Sequence, residues 1–154
     1  MYSKTGASIV AGLTAGFVFG MMMQMMAAPT PDGGQMPMIA MAGQVVGSPT
    51  IAAGWGYHLF NSAVIGAVFG WLLGDRVDGF NSGLGWGAGY GFAWWILGGL
   101  VLMPVLLGMP PFAPLMMPPM WMVAAGSLAG HLIYGLTLGG MFAWLRGGRQ
   151  VPAV

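Results

Sequence analysis

The stretch Ile51 to Gly74 reads IAAGWGYHLFNSAVIGAVFGWLLG, and Ala124 to Gly147 reads AAGSLAGHLIYGLTLGGMFAWLRG. Each carries an apolar run long enough to cross roughly 30 Å of hydrocarbon as a helix. Laid side by side they coincide at Ala52/Ala125, His58/His131, Leu59/Leu132, Gly66/Gly139, Phe69/Phe142, Trp71/Trp144, Leu72/Leu145 and Gly74/Gly147. The same ungapped offset extends upstream through Gly6/Gly79, Gly12/Gly85, Ala15/Ala88, Gly16/Gly89, Phe19/Phe92, Pro31/Pro104, Met36/Met109, Pro37/Pro110 and Ala40/Ala113, and ends at Arg76/Arg149. Self-similarity at a fixed offset is the mark of an internal repeat.

Working outward, two further uncharged stretches, 7–27 and 84–108, complete a set of four with 51–74 and 121–145. The sequence therefore predicts a single membrane domain over 1–154, an all-α protein of four transmembrane helices. Its two tandem two-helix repeats, about 6–76 and 79–149, each cross twice. They share one orientation and are related by a pseudo-two-fold axis along the membrane normal. Composition agrees: 57% of residues are hydrophobic and 5% charged, whereas a water-soluble domain carries about 25% charged residues.

Lys4, Arg76, Arg146 and Arg149 fall on one side of the four stretches, and the other two connections carry no cation. The positive-inside rule makes that side cytoplasmic, with both termini there and with 28–50 and 109–120 facing outward. The first stretch also has the look of a signal peptide, being apolar after Lys4 and trailed by small residues, but the repeat requires it as a helix.

Small residues four apart predict the helix contacts: Gly12, Gly16 and Gly20; Ser62, Gly66 and Gly70; Gly85 and Gly89; Gly135 and Gly139. Such ridges let helix backbones touch where lipid provides no hydrophobic drive. Trp71 and Trp144 fall at the inner boundary and Trp55 and Trp121 toward the outer one, where indoles favour the headgroup region.

Four cations and three acids are too few for a nucleic-acid surface. The lack of cysteine removes disulfides, thiolate sites and iron–sulfur clusters. The spans hold no acid or lysine, which argues against a carboxylate proton relay or ion-coupled transport. Neither a Ser/His/Asp arrangement nor a phosphate-binding glycine loop can be assembled. The chain is expected not to be an enzyme.

The two histidines, His58 and His131, hold equivalent places in the repeat. As a facing pair they are the minimal axial ligands of haem b and would also suit copper or zinc. Otherwise they are neutral imidazoles hydrogen-bonded across the bundle. The outer half is rich in methionine, and Met36, Met38, Met117 and Met120 could join the histidines in a Cu(I) site; as apolar filler the same side chains would adapt to varied neighbours. The connection 109–120 has no polar side chain. In water it would be an exposed apolar patch, to be covered by a partner or folded back over the bundle.

The strings GFAWWILGGLVLMP (Gly91 to Pro104), LGMP (Leu107 to Pro110) and GHLIYG (Gly130 to Gly135), with the Met-Pro-Met run at Met36 and Tyr57-His58-Leu59, resemble a family of small bacterial four-helix membrane proteins of unknown function. The resemblance covers nearly the whole chain. It implies a bacterial inner membrane and a four-helix fold, and it assigns no functional residue.

From these features the expected function is that of a non-catalytic accessory subunit without a cofactor. It would sit in the lipid bilayer and pack against other membrane subunits or copies of itself through its glycine ridges and apolar outer loops. The alternatives are a cofactor protein binding haem b or copper at His58 and His131, and a small channel or carrier for a neutral solute.

Overall fold

A computed structural model of the chain describes residues 2–30 and 32–147. Arg149, and with it the Arg76/Arg149 and Pro31/Pro104 pairs, lies outside the described residues. The fold is mostly helical, with four helices long and apolar enough to cross a membrane.

In chain order, α1 (Lys4–Met25) leads into a short antiparallel hairpin of β1 (Ala27–Pro29) and β2 (Gln35–Pro37), then α2 (Met38–Gly43) and α3 (Ile51–Leu73). There follow α4 (Phe80–Trp94), a π-helical segment (Trp95–Leu102), α5 (Met103–Leu106), α6 (Ala113–Met116) and α7 (Trp121–Leu145). The helix starts are fixed by side-chain oxygens on otherwise unpaired amides. Ser3 accepts from the Gly6 N–H and Thr50 from the Ala53 N–H. Ser82 accepts from the Gly79 N–H, which is why the third long helix begins at Phe80 rather than at Leu84.

Helices α1 and α3 run antiparallel in backbone contact. A Cβ added at Gly12 would lie 2.5 Å from the Ser62 carbonyl oxygen and 2.9 Å from the Gly66 Cα; one added at Gly66 would lie 2.5 Å from the Ser8 carbonyl oxygen. Gly16 faces the Ser62 side chain, Gly20 the Trp55 ring and Gly70 the Ser8 side chain. Helices α4 and α7 pack in the same way, with Gly139 against the Gly83 carbonyl and Gly135 against that of Gly87. A Cβ at Gly91 would come within 3.2 Å of the Gly135 Cα. Helix α1 also packs on α7, where Phe19 fills the space above Gly130.

The α4 ridge is therefore Gly83, Gly87 and Gly91. This corrects the expectation of Gly85 and Gly89, where an added Cβ would meet nothing within 4 Å. Both series have a spacing of four, and a helix turns about 100° per residue, so series two residues apart lie on nearly opposite faces. The contacts also differ in register from the sequence alignment of the two halves. Gly66 touches Ser8 and Gly12 as Gly139 touches Gly83 and Gly87, so Gly12 corresponds to Gly87 in contact geometry while Gly66 still corresponds to Gly139.

At one end Lys4 pairs with Asp75 at 2.8 Å, and the Gly74 turn abuts Phe142 of α7, so Lys4, Arg76 and Arg146 gather there. At the other end the segment after α1 folds back. Ile39 and Ala42 of α2 are buried, and Gly54 gives α3 the room to meet the Ile39 carbonyl. The hairpin turn is held by Asp32, whose carboxyl is kept below its usual range by the Thr30 hydroxyl and the Gly34 amide.

The π segment has a reason in sequence. Pro104 lacks the N–H that an α-helix would return to the Leu100 carbonyl; the Phe112 N–H takes that carbonyl instead, at 2.6 Å. This draws the second connection back over the bundle, burying Ala113 and Pro114 while Met116 stays 71% exposed.

The glycine geometry gives a direct test. Gly66→Val and Gly87→Val should each destabilise the detergent-solubilised protein by about 1–3 kcal/mol, the cost of overpacking a close contact. Gly85→Ala and Gly89→Ala should be neutral or stabilising by up to about 1 kcal/mol. Reversible unfolding in mixed micelles would measure all four.

Candidate functional site

Helices α3 and α4 do not share a glycine seam. They are linked by Tyr90, whose hydroxyl donates to the Ile65 carbonyl at 2.7 Å and whose ring meets Phe69 edge to face. Phe69 in turn meets Phe142 edge to face at the centre. In the half of the bundle beyond Tyr90, α3 stands away from the π segment and a cavity of about 320 Å³ opens between them.

Its walls are Tyr57, Asn61 and Ile65 of α3, Trp94, Gly98, Gly99 and Met103 of the third long helix, and Ser127, His131 and Tyr134 of α7. Phe19 and Met23 of α1 line it too, and Met38 and Met41 of α2 cover it with Met109, Pro114 and Met120. Among the described residues no aspartate, glutamate, lysine or arginine lines it. The rim residues Val64, Leu102 and Leu106 are exposed to the outside of the bundle, so the mouth is lateral and apolar.

Both histidines border this cavity with different bonds. The His58 Nε2–H donates to the Gly16 carbonyl at 2.9 Å, tying α3 to α1. The His131 Nδ1–H donates to the Ser127 carbonyl of its own helix at 2.7 Å, with the Ser127 hydroxyl 3.3 Å from the same nitrogen. Carbonyls only accept, so these bonds fix the tautomers and leave lone pairs on Nδ1 of His58 and Nε2 of His131. The Tyr134 hydroxyl adds a strap to the Ser62 carbonyl at 3.0 Å.

The Phe19 ring packs against both imidazoles in edge-to-face contact, its centroid 5.4 Å from that of His58 and 4.9 Å from that of His131. The nitrogens left with a lone pair for a metal are Nδ1 of His58 and Nε2 of His131, each on a ring packed against Phe19.

Of the four methionines considered for copper, Met38 and Met120 line the cavity, whereas Met36 accepts from the Gln44 amide and Met117 is half exposed. Among the described residues no group of three or more His, Cys, Asp or Glu side chains could hold a metal ion.

Sequence reasoning did not single out Phe19, Trp94, Gly98, Gly99 or Met103 as part of a site. The adjacent glycines ahead of Pro104 were the available signal. At Gly99 an added Cβ would stand 2.9 Å from the Ser127 hydroxyl oxygen, so the pair lets the π segment close on His131. π-Helical turns occur disproportionately at functional sites.

Fold and site together define a four-helix protein suited to a membrane, with a lateral apolar cavity tipped by a few neutral polar groups. The chain matches no family model, and no curated protein or solved structure matches it significantly.

The bonding pattern separates the histidines energetically. His58→Phe and Tyr134→Phe each remove an interhelical hydrogen bond and should lower unfolding free energy by about 0.6 kcal/mol, at most about 1.7. His131→Phe removes only a bond within α7 and should lower it less than either of these. Unfolding midpoints and slopes in mixed micelles would check the order.

Proposed function

We propose that this chain is a non-catalytic, multi-pass protein of the bacterial inner membrane that receives a small, neutral, largely apolar molecule from the bilayer. The observation that carries this reading is the cavity between α3 and the π segment. Its 320 Å³ falls at the lower end of the roughly 300–1,000 Å³ typical of small-molecule sites, and its apolar wall with a few polar groups is their usual chemistry. The lining has no charged side chain, so an ion entering it would be left without a partner at high cost. The rim at Val64 lies near the middle of α3, a depth at which the mouth would face acyl chains.

Both termini are assigned to the cytoplasm, because the end holding Lys4, Arg76 and Arg146 is the cationic one. The two helix pairs are taken as parallel repeats about an axis along the membrane normal, with the register slip between α1 and α4 described above.

The accessory-subunit reading keeps support on the surface. Phe112, Leu115, Met116 and Met117 remain exposed on the outer connection, an apolar surface of the kind that marks docking. Gly12, Gly66, Gly135 and Gly139 meet partners within the chain, whereas Gly85 and Gly89 face open space and stay free to meet another helix.

Methionine methyls are natural reporters. With methyl-13C-methionine protein in lipid nanodiscs, 4-tert-butylphenol should move the signals of Met103 and Met120 by ring-current shifts and leave Met122, which is 78% exposed, on the small background given by lipid-dissolved probe. Gly98→Leu, which directs a side chain toward His131, should abolish the cavity shifts. Equal shifts at all methionines, unaffected by Gly98→Leu, would refute a cavity site.

A further inference from the structure

Resting on that reading, we infer that the molecule held in the cavity is a hydroxylated ring, a phenol-like alcohol dissolved in the lipid phase, whose O–H donates to Nε2 of His131.

The inference begins with an acceptor that has no acceptor's work to do. The His131 proton is held on Nδ1 by the Ser127 carbonyl at 2.7 Å, so Nε2 presents only a lone pair. Among the described residues no donor reaches it, yet no buried side-chain nitrogen or oxygen there lacks a partner. Nε2 must therefore stay accessible, and the space it adjoins is the cavity. The wall of that space is mostly apolar, with a few neutral polar groups, so an apolar molecule that brings its own donor suits it.

The ring orientation is locked. Ser127 holds one edge, Phe19 packs edge to face at 4.9 Å, and an added Cβ at Gly98 would sit 3.7 Å from Nε2, so the glycine leaves the lone pair uncovered. Such fixing of an acceptor by its neighbours lowers the cost of binding a donor. Asn61 on the facing helix lines the same space, and its carboxamide has no hydrogen-bond partner among the described residues, so the cavity also holds a donor. A hydroxyl both donates and accepts, whereas a ketone, ether or hydrocarbon offers Nε2 no donor.

The remainder of the wall specifies the body of the ligand. The Trp94 indole and the thioethers of Met103 and Met120 are surfaces that favour aromatic rings, through offset contacts and sulfur–ring attraction. A charged phenolate or ammonium head has no counter-ion in the lining, so the neutral alcohol is the form selected.

The test compares two isosteres, 4-tert-butylphenol and 4-tert-butyltoluene, which exchange a hydroxyl for a methyl. Occupancy is read from the Met103 and Met120 methyl shifts in nanodiscs, with each probe's lipid concentration corrected by its partitioning into empty nanodiscs. The wild type should bind the phenol roughly three- to tenfold more tightly, the worth of one net hydrogen bond. His131→Phe should erase that preference while leaving the toluene shifts, and His131→Gln, which returns an acceptor, should restore part of it. Equal binding of both probes by wild type and His131→Phe would overturn the hydroxyl assignment and leave the cavity reading standing. Absence of cavity shifts with either probe would overturn both. A His131→Phe variant that fails to fold would show as collapsed Met122 dispersion; His131→Gln and Asn61→Leu would then carry the comparison, the latter expected to weaken only the phenol.

Discussion

Direct contact of helix backbones is the constraint on which the rest of this structure depends. In hydrocarbon, burying an apolar side chain gains nothing over leaving it in lipid, so helices associate through close packing and hydrogen bonds. Here the packing is between α1 and α3 and between α4 and α7, with Gly12 on Gly66 and Gly83 and Gly87 on Gly139. At that separation there is no space for a methyl group, and the carbonyls themselves become the opposing surface. The polar side chains then act as straps across the seams. His58 reaches the Gly16 carbonyl and Trp55 the Gln24 side chain, both from α3 to α1, while Tyr134 of α7 ties the two pairs together at the Ser62 carbonyl of α3.

Two tightly seamed pairs must still meet each other, and they do so unequally. Helix α1 lies along α7, with Phe19 seated above Gly130 and Met26 above Gly126. The counterpart pair, α3 and α4, meets through the larger Tyr90 and Phe69. A phenol ring spaces two helices more widely than a glycine does, so the wider separation of α3 and α4 follows from side-chain size. The cavity is the space that this asymmetry leaves. The π segment shapes its wall by bringing Gly98 and Gly99 against His131 and Ser127, and the Phe112 amide holds the closing connection to the Leu100 carbonyl that Pro104 frees.

The histidine pair shows how equivalent sequence positions acquire different chemistry. His58 and His131 align in the repeat, yet one bridges two helices and the other turns its proton back to its own helix. The difference arises because Gly16 offers a carbonyl to His58 across a close seam, whereas the corresponding Gly91 approaches the His131 backbone rather than its ring. Phe19 packs on both rings, and each presents a separate lone pair. One of these is left open to an apolar space.

The sequence by itself determined the number of long apolar helices, their approximate bounds and the rule that small residues four apart form their contacts, because length and hydropathy are properties of single segments. It also carried the two histidines and the methionine-rich outer half as candidates. Which glycine series on α4 makes contact was open, since Gly83-Gly87-Gly91 and Gly85-Gly89 share one spacing and only the opposing helix selects a face. Only the tertiary structure decided that Phe19, distant in sequence from both histidines, packs against both. It alone decided that α2 caps the bundle and that α3 parts from the π segment. Each of these depends on where one helix stops another, and no single segment encodes the distance to its neighbour.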